Sequence, residues 1–380
     1  MISIVDNCIN LRKNIASDWK GSAVHEESTL HQIAPYIGKM KSTMASTLIS
    51  SFTHKAQTIY DPFCGSGTVA FEAWAKGRNI IANDLSPYAI ALTRAKLFPY
   101  FSIEEAIVEI SVIDEQVRAL ISKLDLRSVP KWVRLFFHPE TLREIVAWAQ
   151  VLRSRRSHFL LSCLLGILHH QRPGFLSYPS SHTVPYLRLR NFSRDKYPEL
   201  YQYRPVRERL EKKVIRALKR VPNLDYGLSR KCYMRDAAKL MPKQRVDVII
   251  TSPPYMRQLD YGRDNRLRLW FLEVQDWKPL DQIISPSEVK FLKHLRSCLK
   301  LWHDVLTTKG FCILVLGDIH SRLYNMSLAD VAARIATQEI GGYSVLWKYT
   351  EPIPSDRRVR RGCCGSRTET ILVLCNNKRN

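Results

Sequence analysis

The stretch from Thr58 to Asp84 constrains the fold more than any other part of the chain. Thr58-Ile59-Tyr60 is an apolar run that stops at Asp61-Pro62, and Asn79-Ile80-Ile81-Ala82 is a second that stops at Asn83-Asp84. Between them Thr68 to Lys76 supplies the Ala, Phe, Glu and Trp of a helix, and Gly77 closes it. Two short buried strands joined by one helix lie parallel, since the crossover carries the chain back to the same edge. Two further runs repeat the pattern. Lys231-Cys232-Tyr233-Met234 leads to Asp236, and Val246 to Ile250 leads to Thr251-Ser252-Pro253-Pro254-Tyr255. Phe311 to Leu316, Tyr343 to Tyr349 and Thr370 to Cys375 bring the set to about seven strands. The expected fold class is α/β, an open sheet with helices on both faces.

Chemistry gathers where these strands end. Asp61-Pro62-Phe63-Cys64-Gly65-Ser66-Gly67-Thr68 follows a strand and opens a helix. Glycines there let a ligand approach the backbone, and the helix start offers unpaired N–H groups. A phosphate-binding P-loop is excluded, because no Gly-Lys-Ser/Thr follows. Nicotinamide dinucleotide binding stays open on this piece alone, since Asp84 at the end of the second strand suits ribose hydroxyls in either cofactor type. The string Thr251 to Tyr255 is more specific. Its two prolines fix the backbone so that a carbonyl and the preceding side chain face one cleft, and Tyr255 adds a flat ring. In an open α/β sheet ligands bind at the carboxyl ends of the strands, and Asp61, Asp84, Asp236 and Ser252 each fall at the end of a different strand.

Charge points to the partner. The chain of 380 residues carries 58 Lys+Arg against 35 Asp+Glu, a formal net charge of +23, which calls for a polyanion. Between Val151 and Arg235 there are 19 Lys+Arg and 5 Asp+Glu, interleaved with Tyr178, Tyr186, Phe192, Tyr197, Tyr201 and Tyr203. Cations beside rings suit phosphates and bases. Arg204, Arg207 and Arg209 are candidate nucleic-acid contacts, as are Arg263, Arg266 and Arg268 after the proline motif and Arg357, Arg358, Arg360 and Arg361 near the end. The longest apolar run, Phe159 to Leu168, is far short of the ~20 residues a membrane-spanning helix needs. Met1 to Cys8 lacks the order of a secretory leader. The 9 cysteines include no C-x-x-C pair, as expected of buried thiols in a reducing cytoplasm. His25, His31, His169 and His170 show no metal-ligand spacing, and no metal is expected.

With these motifs the chain resembles the amino-methylating DNA methyltransferases that use S-adenosylmethionine, and in particular the N4-cytosine branch with its Ser-Pro-Pro-Tyr motif. The resemblance implies a Rossmann-like seven-stranded methyltransferase sheet. It makes Asp61 to Thr68 the cofactor loop, Asp84 with Leu85 the acidic ribose site, and Asp236 with Ala237 the contact to the adenine edge. Pro35 to Met40, with Lys39, is similar to the family's N-terminal cofactor segment. It further implies that Ser252 Oγ and the Pro253 carbonyl accept hydrogen bonds from an exocyclic amine, and that Tyr255 stacks on the base. That base must leave the duplex, at a cost of roughly a few kcal/mol.

The organisation that follows has three parts. Residues 1–98 carry the cofactor loop, 99–230 form a basic, largely helical insertion for target recognition, and 231–380 carry the catalytic motif. The cofactor loop precedes the proline motif, whereas many N4-cytosine enzymes have the reverse order, so the insertion is assigned by its place between the two halves. The expected partners are double-stranded DNA and a cognate restriction endonuclease, with a cytoplasmic, nucleoid-associated location. Adenine-N6 methylation of DNA is one rival. RNA guanine-N2 enzymes are another, sharing a similar loop but typically carrying Asp or Asn before Pro-Pro-Tyr and an RNA-binding module upstream. A catalytically inactive nucleic-acid-binding protein is the non-enzymatic alternative.

Overall fold

The computed structural model describes residues 27–182, 184–254, 256, 260–284, 286–353 and 367–378. Its centre is a seven-stranded sheet. In chain order the strands are β1 (Thr58–Asp61), β2 (Asn79–Asn83), β3 (Arg230–Tyr233), β4 (Val246–Thr251), β5 (Leu306–Gly317), β8 (Tyr343–Pro352) and β9 (Thr368–Asn376). A short separate ribbon pairs β6 (His320–Ser321) with β7 (Met326–Ser327). The sheet order is β3-β2-β1-β4-β5-β9-β8. The first five strands are parallel, and β9 inserts between β5 and β8 antiparallel to both. This is the expected Rossmann-like methyltransferase sheet, with the strand order reversing beside β1 and β4, where such sheets open a crevice.

Both faces of the sheet are covered, which is why its strands read as continuous apolar runs. Ile59, Ile80, Val248, Ile250 and Ile313 belong to one core, and Tyr60, Ile81, Ile249, Cys312 and Leu314 to the other. Alternate residues face opposite ways, as the two-residue period of a strand requires. The first core packs under α1 (Ser42–Phe52), α2 (Thr68–Ala75) and α3 (Pro87–Leu97). Ser86 caps α3 and Pro87 occupies its first position, the place where a missing N–H costs nothing.

The segment 99–230 contributes α4 (Ile103–Ile121), α5 (Pro139–Ser154), α6 (His158–Gly166) and α7 (Val206–Leu218). Their Ile110, Trp148, Leu161 and Leu210 join the same apolar core as the sheet. Helix α6 is buried from Phe159 to Gly166, and Ser162 Oγ donates to the Ala91 carbonyl of α3 at 2.9 Å. These helices pack on one another and, through α6, on α3. After β4 come α8 (Arg266–Phe271), α9 (Lys278–Ile284), α10 (Glu288–Val305) and α11 (Leu328–Arg334), of which α10 and α11 cover the second face. Among the described residues no helix is long and apolar enough to cross a membrane.

Candidate active site

Three cross-links bring the strand ends together. Thr251 Oγ1, at the end of β4, donates to Asp61 Oδ1 at 2.7 Å and accepts from the Phe63 N–H at 3.2 Å. Asn83, at the end of β2, donates through Nδ2 to the carbonyls of Pro62 and Arg235 and accepts from the Arg235 N–H. Asp84 accepts from the Gly65 and Ser86 N–H groups, each at 2.9 Å. The loops after β1, β2, β3 and β4 are thus one hydrogen-bonded unit, in which each polar side chain satisfies backbone groups that the strand ends leave open.

They enclose a cleft of about 370 Å³, within the ~300–1,000 Å³ of small-ligand sites. Lys39, Asp61, Asp84, Asp236 and Ser252 all line it, with Pro62 to Ser66, Thr68, Leu85, Ala237, Pro253 and Pro254. Gly67 does not. It stands at φ +74, and a Cβ there would lie 2.7 Å from Thr93 Oγ1 and 2.9 Å from Thr93 Cα. Its role is to turn the loop into α2 against α3. Gly67→Ala is expected to destabilise the protein by at least about 2 kcal/mol, measured by chemical denaturation. Gly65, at φ +49, instead keeps the loop close to the Tyr36 ring.

Burial sets the electrostatics. The Asp61 carboxyl is pushed up to about 7 by desolvation, against the hydrogen bonds from Thr251 and Phe63. Asp84 is likewise raised by burial despite its backbone donors. No ion pair of Asp61 or Asp84 is seen among the described residues. Burial acts to raise Asp236 too, but hydrogen bonds from His294 and the Ala238 N–H outweigh it, and its pKa lies below the usual carboxylate value. Lys39 Nζ donates to the His31 carbonyl at 3.2 Å, and burial lowers its pKa.

A cleft with one buried and two half-buried carboxylates, apolar walls and close backbone approach suits a ligand that is part cation and part aromatic. S-adenosylmethionine is such a ligand, with a sulfonium, an ammonium, a ribose and an adenine. Asp61 and Asp84 would face its charged and hydroxyl groups, and Asp236 lies on the same wall. No cluster of His, Cys, Asp and Glu among the described residues is arranged to hold a metal ion.

Residues 36–123 match the D12 class N6 adenine-specific DNA methyltransferase family. The match includes Asp61 to Asp84 and ends well before Ser252. The Type II methyltransferase M.MvaI of Kocuria varians is 23% identical over 254 residues, 57% of this chain and 51% of that protein. The chain therefore spans about half the length of that curated relative. Among solved structures, TrmN from Thermus thermophilus is 12% identical, covering 92% of this chain and 53% of that one, with a TM-score of 0.37. The rRNA methyltransferase aviRa from Streptomyces viridochromogenes is also 12% identical, covering 94% and 96%, with a TM-score of 0.34.

The arginines named as candidate nucleic-acid contacts have partners within the protein where they are described. Arg204 is buried, its guanidinium donating to the carbonyls of Phe175, Ser177 and Leu200. Its hydrogen bonds tie the irregular loop 167–205 together. Arg207 pairs with Asp114 and Glu211, both at 2.9 Å, and Arg209 donates to the Pro205 carbonyl. After the proline motif, Arg263 pairs with Asp260 and Arg266 donates to the Pro185 carbonyl. Arg268 is buried over the Tyr88 ring. Tyr255, Arg357, Arg358, Arg360 and Arg361 lie outside the described residues. Sequence reasoning missed one whole wall of the cleft, formed by Gln282 to Ile284 of α9 and by Lys290, Phe291 and His294 of α10. No motif marks these residues; α10 reads as an ordinary amphipathic helix.

Proposed function

We propose that this chain transfers the methyl group of S-adenosylmethionine to an exocyclic amino group of a base in DNA, with cytosine N4 as the acceptor. The observation that carries the reading is that Ser252 and Pro253 stand on the wall of the cofactor cleft, joined to its acidic end through Thr251 and Asp61. When bound, the cofactor supplies a methyl group already activated by its sulfonium. Ser252 Oγ and the Pro253 carbonyl accept hydrogen bonds from the amino group, drawing a lone pair out of conjugation with the ring, and much of the acceleration comes from this positioning. Tyr255 stacks on the extruded base. The basic segment 99–230 holds the duplex. On this reading the protein acts on nucleoid DNA in the cytoplasm, and the likeness to a type II methyltransferase makes a cognate restriction endonuclease the natural partner.

Adenine N6 is the second reading, favoured by the family match over residues 36–123. That match bears on the cofactor half, whereas the acceptor is chosen at Ser252 and the residues after it. The test is incubation with labelled S-adenosylmethionine and separate DNA and RNA substrates, followed by mass spectrometry of the nucleosides. N4-methylcytosine in DNA is expected. N6-methyladenine establishes the second reading, and label confined to RNA overturns both.

A further inference from the structure

We propose that His294 is a positioning residue for the nucleobase end of the cofactor, acting through the Asp236 carboxylate. The proposal rests on the reading of Asp236 as the group that meets the adenine edge. Asp236 Oδ1 accepts from His294 Nε2 at 2.8 Å and from the Ala238 N–H at 3.0 Å. Among the described residues the other oxygen has only Lys239 Nζ nearby, at 3.8 Å on a side chain that is 82% exposed. The carboxylate is therefore held against rotation, with one oxygen committed to the protein and the other left for a donor in the cleft. An ionised carboxylate only accepts, so His294 must carry a proton on Nε2. Its Nδ1 lies 3.8 Å from Cys298 Sγ on the same helix.

The support is rigid. The inner face of α10 buries Leu295, Leu299 and Trp302 in the second core, so the imidazole is carried on a packed helix and not on a loop. The ring also approaches Phe63 of the cofactor loop, centroid to centroid at 6.1 Å. One side chain thus ties the β3 end to the opposite wall of the cleft. A fixed acceptor selects a base edge that bears an amino group over one that bears a carbonyl, because two facing oxygens leave the carboxylate unsatisfied.

The experiment measures equilibrium binding of S-adenosylhomocysteine and of S-inosylhomocysteine, which has a 6-oxo group in place of the 6-amino group. The full chain is compared with its His294→Phe, His294→Gln and Asp236→Asn variants, each checked for folding by thermal melting. The wild type is expected to prefer the adenosyl ligand by about tenfold or more. His294→Phe should reduce that preference to about twofold, and His294→Gln, which keeps an N–H donor, should restore most of it. His294→Ala gives the same comparison should phenylalanine disturb α10. An unchanged preference in the Phe and Ala variants overturns the proposal while leaving Asp236 as the reader of the base. An unchanged preference in Asp236→Asn, or none in the wild type, instead overturns the reading of Asp236 on which the proposal rests.

Discussion

Asp61→Asn is expected to weaken S-adenosylmethionine binding about ten- to a hundredfold at pH 8 and to flatten its dependence on pH, leaving only what Asp84 contributes. A hydrogen bond or close pair made by a charged group contributes roughly 1.5–3 kcal/mol, which converts to that range. The pH dependence follows from burial. In the free protein desolvation pushes the Asp61 carboxyl up to about 7, so below that pH it is neutral and cannot receive a cation. A cationic ligand must displace the proton, and affinity should fall about tenfold per unit as pH drops below 7. Stability of the free protein runs the other way. A carboxyl whose folded pKa lies above its unfolded value contributes stability that is fully present below the unfolded pKa and is lost as pH rises through the folded one. The wild type should therefore lose stability between about pH 4 and pH 7 relative to Asp61→Asn, whose amide oxygen still accepts from Thr251. Calorimetric titration at pH 6, 7 and 8 in buffers of different ionisation enthalpy reads both affinity and proton release. An Asn variant that keeps the wild-type pH slope would place the titrating group elsewhere.

The parts of this site that were legible in the sequence share one property: their signal is local. Strands β1, β2, β4 and β5 are buried on both faces, so each is a short apolar run stopped by a polar residue, and the stopping residues Asp61, Asp84 and Ser252 meet because parallel strands end on the same side. Gly67 shows the limit of a motif, since the sequence reports that a glycine is required without saying whether a ligand or a neighbouring helix requires it. His294 was invisible for a different reason. It stands 58 residues from Asp236, and only the docking of α10 across the sheet brings the two together. Composition likewise gives the amount of charge in a segment but not which cations face water.

Arg204→Ala should therefore destabilise the fold, by about 2–4 kcal/mol, and leave the salt dependence of DNA binding unchanged. Deleting the guanidinium leaves the carbonyls of Phe175, Ser177 and Leu200 short of donors in a buried setting. The cations that remain exposed in the same loop are Arg172, Arg190, Arg194 and Lys196. Arg194 lies over the Tyr178 and Tyr201 rings at 5.3 and 5.0 Å, which holds its charge at the surface on a short tether. The loop is tied to the segment following the proline motif, through Arg266 to the Pro185 carbonyl and Arg268 to the His182 carbonyl. The buried Arg204 and Arg268 thus brace a loop whose surface carries the exposed cations, and we propose that these cations meet the DNA backbone. Each phosphate contact contributes a slope of about 0.9 in log K against log salt. Arg190→Gln combined with Arg194→Gln should lower DNA affinity and reduce that slope by about 2, with melting behaviour unchanged. The opposite pattern, a flattened slope in Arg204→Ala and none in the double variant, would mean that the loop opens on DNA and that Arg204 reaches the backbone after all.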